Sequence, residues 1–328
     1  MSWDTESSAS PSSSSSASSD SNSLYEILCE LIRRESRPSE SEWRLFRTVC
    51  SSRNRQEECH WIFDYFRQIL LPLTFSSHPC HTKLWTDIKL VGLSKSRDAQ
   101  PGGSNSFFQT QQFGDDAAVL GGNYLIISDG ITRDSNSDFF ASQVVECLNV
   151  GIRRINLQRD LGEELVALVQ AVEALVAEVK LPAAATLTLA YLSKDDYLYV
   201  ASLGDSQLAV IRSGRLIYST PVQRSGNIPG QLNCRIPQAS DDMTFERLRV
   251  RSGDYVILAS DGLWDNLFAS EVAEVVGDGA RQTASRLLNM AMERKDGSRR
   301  YYRENQRTGK RQYVGRRRDD ITIIVARV

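Results

Sequence analysis

The 328-residue chain lacks any apolar run near the ~20 residues a bilayer-spanning helix needs, so no membrane span is expected. Histidine is scarce. His60, His78 and His81 are its three copies, and all precede the acidic motifs described below. A Ser-His-Asp or Cys-His mechanism would require one of them to fold back into the site. The six cysteines (Cys29, Cys50, Cys59, Cys80, Cys147 and Cys234) are scattered, with no CxxC pair. That argues against a disulfide framework and for a reducing compartment. No cysteine sits in a phosphate-binding loop of the sort a cysteine phosphatase uses. A net charge of -2 provides no global basic field for nucleic acid. Neither GxGxxG nor GxxxxGK[ST] occurs, which excludes the common nucleotide-binding loops.

What is present divides along the chain. Residues 1–22 are almost all Ser, Ala, Asp and Asn, and are expected to stay disordered for want of apolar surface. They contain no apolar signal core and no early arginine, which points to a cytoplasmic protein. Residues 23–83 read as a helical extension, with Leu24, Ile27, Leu28, Leu31 and Ile32, then Trp61, Ile62, Tyr65, Phe66, Ile69 and Leu70, at helical spacing. Residues 84–328 form the main domain, in which 94–112 reads as a loop. Strands are expected at 117–120, 124–128, 186–192, 197–202, 207–212, 215–218, 245–250, 254–260 and 321–328, with 245–250 and 254–260 paired as a hairpin. Helices are expected at 139–157, 160–182, 270–276 and 280–293, the second capped by Asp160 and ended by Pro182. Hairpins of strands with amphipathic helices outside predict an α+β fold, two stacked antiparallel sheets flanked by helices in an α-β-β-α sandwich, rather than a parallel Rossmann sheet.

The informative pattern is acidic. Asp129-Gly130 ends the apolar run from Leu125, Asp261-Gly262 ends the run from Tyr255, and Asp319-Asp320 opens the closing strand. Asp115-Asp116 opens another strand. Carboxylates delivered to one place by separate strands repel one another unless cations or protons neutralise them. A cluster of hard oxygen ligands for divalent ions is the economical reading.

In order, the motifs are Phe-Gly-Asp115-Asp116-Ala, Ser-Asp129-Gly130, Ser202-Leu-Gly204-Asp205-Ser206, Ala-Ser-Asp261-Gly262-Leu-Trp-Asp265-Asn266 and Arg-Asp319-Asp320-Ile-Thr. This set resembles the metal-dependent type-2C serine/threonine protein phosphatases, most of all their mitochondrial branch, which offers a mitochondrial or plastid location as the alternative. The resemblance implies two Mn²⁺ or Mg²⁺ ions. Asp129 would bridge them, the Gly130 carbonyl would lie beside it, and Asp261 and Asp319 would be the other direct ligands. Asp116 with Asp129 would hold the attacking metal-bound water, with Asp115 beside it, and Asp205 would belong to a weaker third ion. Asp320 is the less favoured of its pair. The implied substrates are phosphoproteins, and a monomer is expected. The chemistry agrees: paired cations can neutralise phosphoryl oxygens and activate water.

The run Asp129-Gly130-Ile131-Thr132-Arg133-Asp134 departs from the family's Asp-Gly-x-Gly-Gly, and lacks the His that many members carry after the Gly. Arg133 could take on phosphate binding. Ala183-Ala-Ala-Thr186 stands where Gly-Ser-Thr-Ala is usual. The alternative function is therefore a catalytically weak scaffold that retains the fold. Asp265-Asn266 reads as a cap or turn at the next helix. Cys59-His60 with His78, Cys80 and His81 matches no standard zinc spacing. The arginine-rich stretch 295–318 is a solvated loop or a basic lip that draws in acidic substrate.

Overall fold

The computed structural model describes residues 15–34, 36–50, 56–71, 83–95, 100–131, 136–156, 159–179, 181–226, 228–233, 239–293, 302–304, 311–313 and 319–328. Arg133, His78, Cys80, His81 and most of the arginine-rich stretch lie outside them.

Twelve strands build two six-stranded antiparallel sheets. They are β1 (Asp87–Leu93), β2 (Gly102–Ser104), β3 (Thr110–Phe113), β4 (Asp116–Leu120), β5 (Tyr124–Asp129), β6 (Leu187–Leu192), β7 (Tyr197–Leu203), β8 (Gln207–Arg212), β9 (Arg215–Ser219), β10 (Thr244–Arg249), β11 (Tyr255–Ala259) and β12 (Ile321–Arg327). One sheet runs β9-β8-β11-β12-β1-β2 and the other β10-β7-β6-β5-β4-β3. Alternation assigns each strand's faces. Leu125 and Ile127 of β5 meet Leu258 of β11 and Ile324 of β12 between the sheets. Tyr124 and Ile126 point the other way, under helices. Both faces are covered, so the central strands read as near-continuous apolar runs.

The helices form the outer layers. The first three are α1 (Ser15–Arg34), α2 (Glu40–Cys50) and α3 (Gln56–Tyr65), the last continuing into a π-turn at Phe66–Leu70. Next come α4 (Ser137–Ile152) and α5 (Leu161–Val179). These five share one core with the outer face of the β5 sheet. Asp160 caps α5, accepting the Glu163 N–H at 3.0 Å. On the opposite side are α6 (Asp261–Trp264), α7 (Ala269–Val275) and α8 (Ala280–Glu293), packed on the outer face of the β11 sheet. The expected sandwich is the one observed.

Several local expectations differ from the structure. Segments 245–250 and 254–260 do not pair as a hairpin. β10 joins β7, while β11 joins β8 and β12 in the other sheet. Half-charged β10 makes an edge strand, whereas fully buried β11 requires a central place. Gly253, at φ +89°, turns the chain between them and donates its N–H to Val328. The stretch expected as a loop contains β2 and the start of β3, and β1 has no distinctive local signal. α1 reaches back to Ser15, into the segment expected to be disordered, because extending an existing helix is far easier than nucleating one. α2 falls within the segment read as a helical extension but outside the two runs named there, and Ser39 and Glu42 form its capping box. His60 packs edge-on against Phe139 at 4.6 Å, so it lies in an aromatic contact.

Leu258 is fully buried between the sheets. Leu258→Ala is expected to cost about 2–5 kcal/mol through lost transfer energy and the cavity left behind, read by urea unfolding.

Candidate active site

One end of the sandwich collects the acidic motifs from both sheets. Asp116 opens β4 and is the direct cross-strand neighbour of Asp129, which closes β5. Asp205 sits in the turn where the chain passes from β7 to β8, and thus from one sheet to the other. Asp261 follows β11, and Asp319 and Asp320 precede β12. Antiparallel pairing produces this convergence, since strand ends and strand starts alternate along one edge.

Carboxylate oxygens of Asp129, Asp205 and Asp261 lie within 4.8 Å of one another. That trio takes in Asp205, expected only as a site for a weaker third ion, and does not include Asp319. Asp319 instead lies 3.9 Å from the Lys95 ammonium, on the side of the cluster where its field acts on Asp129 and Asp116. Asp320 faces inward as a structural acceptor. It receives the Lys95 N–H at 2.5 Å and the Asp115 N–H at 2.9 Å. Asp115 pairs with Lys95 at 2.8 Å.

The electrostatics show like charges under compression. Burial, then the fields of Asp116, Asp261, Asp205 and Asp319, push Asp129 well above the usual carboxylate range. Asp116 is pushed up to about 7, chiefly by burial and further by Asp320 and Asp319, with nearby Ser260 and Thr322 hydroxyls opposing the shift. Both of its carboxylate oxygens are buried without a hydrogen-bond partner among the described residues. Such an orphaned acceptor beside three clustered carboxylates fits a divalent cation with hard oxygen ligands.

Backbone and hydroxyl contacts fix the positions of these groups. The Thr186 hydroxyl accepts the Asp129 N–H at 3.1 Å and shares a hydrogen bond with Ser206 at 3.0 Å, joining two of the motifs. Ser260 accepts the Thr322 N–H at 3.0 Å, joining two others. Gly130 passes between backbone carbonyls: a Cβ there would lie 2.6 Å from the Ser137 oxygen and 2.7 Å from that of Asp115. At Gly262 a Cβ would come within 1.9 Å of the Asp320 carbonyl oxygen.

Two cations were not foreseen. Lys95 meets Asp115, Asp319 and Asp320. Although burial works against its charge, those partners hold its ammonium above the ordinary value. Arg224 meets Asp205 at 2.6 Å and both Asp261 and Asp265 at 3.4 Å. Both cations come from turn-rich segments without periodicity, so nothing local announced them. Asp265, expected only as a cap or turn, also borders the cluster through Arg224.

A family model described as Protein phosphatase 2C matches residues 105–295, more than half of the chain. The chain belongs to the protein phosphatase 2C family. A rice protein (Oryza sativa subsp. japonica) named "Probable protein phosphatase 2C 1" is 28% identical over 203 residues, covering 60% of this chain and 57% of that protein. The yeast "Protein phosphatase 2C homolog 7, mitochondrial" (Saccharomyces cerevisiae) is 27% identical over 173 residues, covering 44% of this chain and 49% of its own. The chain thus spans about half the length of these relatives. The solved catalytic domain of the serine threonine phosphatase PstP, in complex with two manganese ions, shares the fold at TM-score 0.51 and 20% identity, covering 73% of this chain and 98% of that one. The family match stops before Asp319, and the fold brings that motif back to the same edge.

Replacing Asp129 by Asn removes one of the mutually repelling charges. It is expected to stabilise the cation-free protein by roughly 1 kcal/mol, and to remove most of the rise in melting temperature on adding Mn²⁺. Wild type at a hundredfold excess of Mn²⁺ over its Kd should gain about 2.7 kcal/mol. Gly262→Ala should lose about 1–3 kcal/mol, because backbone rather than a mobile side chain blocks the added methyl. Thermal and urea unfolding with and without Mn²⁺ measure all three.

Proposed function

We propose that the protein hydrolyses phosphoserine and phosphothreonine in other proteins in a Mn²⁺- or Mg²⁺-dependent reaction. The observation that carries this reading is the close approach of Asp129, Asp205 and Asp261, with the buried, unpartnered Asp116 carboxylate beside them. In this proposal Asp129, the Gly130 carbonyl, Asp261 and Asp319 hold two ions, and Asp205 with Asp115 lies at a third position or just outside. Bound Mn²⁺ or Mg²⁺ would supply charge neutralisation for the phosphoryl oxygens and make water nucleophilic near neutral pH.

The chain's own residues supply orientation. Asp116 sits at the head of β4, where its free lone pairs can hold the attacking water. The Thr186 hydroxyl, itself bonded to Ser206, fixes the backbone from which the Asp129 carboxylate projects. Lys95 at one flank and Arg224 at the other offer positive charge to a phosphoryl dianion approaching the open edge. The yeast relative's name places that protein in mitochondria, which supports an organellar location here over a cytoplasmic one.

The test is phosphate release from a phosphoserine peptide by the full chain. Activity should require Mn²⁺ or Mg²⁺, vanish with EDTA, and fall more than ~100-fold in Asp261→Asn. Mn²⁺ binding of normal affinity without turnover would replace the enzyme reading with the scaffold one.

A further inference from the structure

We propose that Arg224 is a built-in counter-ion of the acidic cluster that competes with a divalent cation for Asp205 and Asp261. The inference rests on the metal-dependent reading above and adds a residue that neither the motifs nor the comparisons assign.

The guanidinium bridges three carboxylates. Its Nε lies 2.6 Å from Asp205 Oδ2, and one Nη lies 3.4 Å from both Asp261 Oδ2 and Asp265 Oδ2. Asp205 and Asp261 are two of the three residues whose oxygens converge within 4.8 Å. A guanidinium and a metal ion are drawn to the same negative potential and to the same two carboxylates, so each weakens the other's hold. Arginine remains charged at any physiological pH, so only displacement removes it.

Its position is built into the backbone. Arg224 and Ser225 pair with Ile228 and Pro229 in a small ribbon. The preceding residue, Gln223, fastens that ribbon to the turn carrying Asp205. Its N–H donates to the Gly204 carbonyl at 2.8 Å, and its side-chain oxygen accepts the Gly204 N–H at 2.9 Å. Its side-chain nitrogen donates to the Asp242 carbonyl at 2.8 Å and to the Thr244 hydroxyl at 3.1 Å. Arg224 is therefore held in register with Asp205. The side chain remains a quarter exposed, which leaves it a way out to solvent.

Mn²⁺ binding to the full-length protein, followed by the electron paramagnetic resonance signal of free Mn²⁺, tests this without reference to turnover. Arg224→Ala should bind one further ion per chain, or tighten the weakest site by about tenfold. Its cation-free melting temperature should fall, since the cluster has lost a counter-ion. Arg224→Gln should show the same change in binding and serves if the alanine variant does not fold. Adding Asp205→Asn to either variant should erase the difference from Asp205→Asn alone. Superimposable isotherms for wild type and both Arg224 variants would overturn the proposal while leaving the metal-dependent reading intact. Tightening that persists when Asp205 is Asn would also overturn it. No Mn²⁺ bound by any of the proteins would defeat the metal-dependent reading, and this proposal with it.

Discussion

Mutual repulsion among the carboxylates at one end of the sandwich is the constraint around which the rest is arranged. Asp116, Asp129, Asp205, Asp261, Asp319 and Asp320 arrive from both sheets, and several are buried. Left alone, these charges would prise the strand ends apart. Three things oppose that: the continuous apolar layer between the sheets, the hydroxyl and backbone contacts at Thr186, Ser206 and Ser260, and the flanking cations Lys95 and Arg224. The strain is concentrated where Asp129 and Asp116 hold their protons above the ordinary range.

The two flanks of the site are built differently. On the Lys95 side, Asp320 is consumed by backbone N–H groups and serves to anchor the β12 entrance to the loops that carry Lys95 and Asp115. On the Arg224 side, the carboxylates are met by a side chain on an exposed ribbon. On the first flank main-chain donors join the side-chain cation, and on the second the contacts are made by the guanidinium.

The N-terminal helices belong to the same physical unit as the outer face of the β5 sheet. Phe63 lies 5.8 Å from Phe139 of α4, and Phe46, Tyr65 and Phe66 bury themselves in the same core. Because α4 begins at Ser137, beside Gly130, that packing also supports the acidic edge from behind. Removing apolar surface from this extension would expose a face of α4 and α5 that has no polar side to offer.

Much of this was legible along the chain. Apolar runs ending in Asp-Gly, the capped helix after Asp160, and the order of the acidic motifs each depend on neighbours in sequence, where periodicity and turn chemistry operate. They determined the layered α+β architecture and which aspartates to suspect. What the sequence left open depended on contacts between distant segments. β10 and β11 look like a hairpin until burial sends them to different sheets, and β1 becomes a strand only because β12 lies alongside it. The prominence of Asp205 over Asp319 in the tightest carboxylate group, and the arrival of Lys95 and Arg224, were decided by tertiary structure alone. Electrostatic partnership acts through space, so it leaves no spacing in the chain by which to find it.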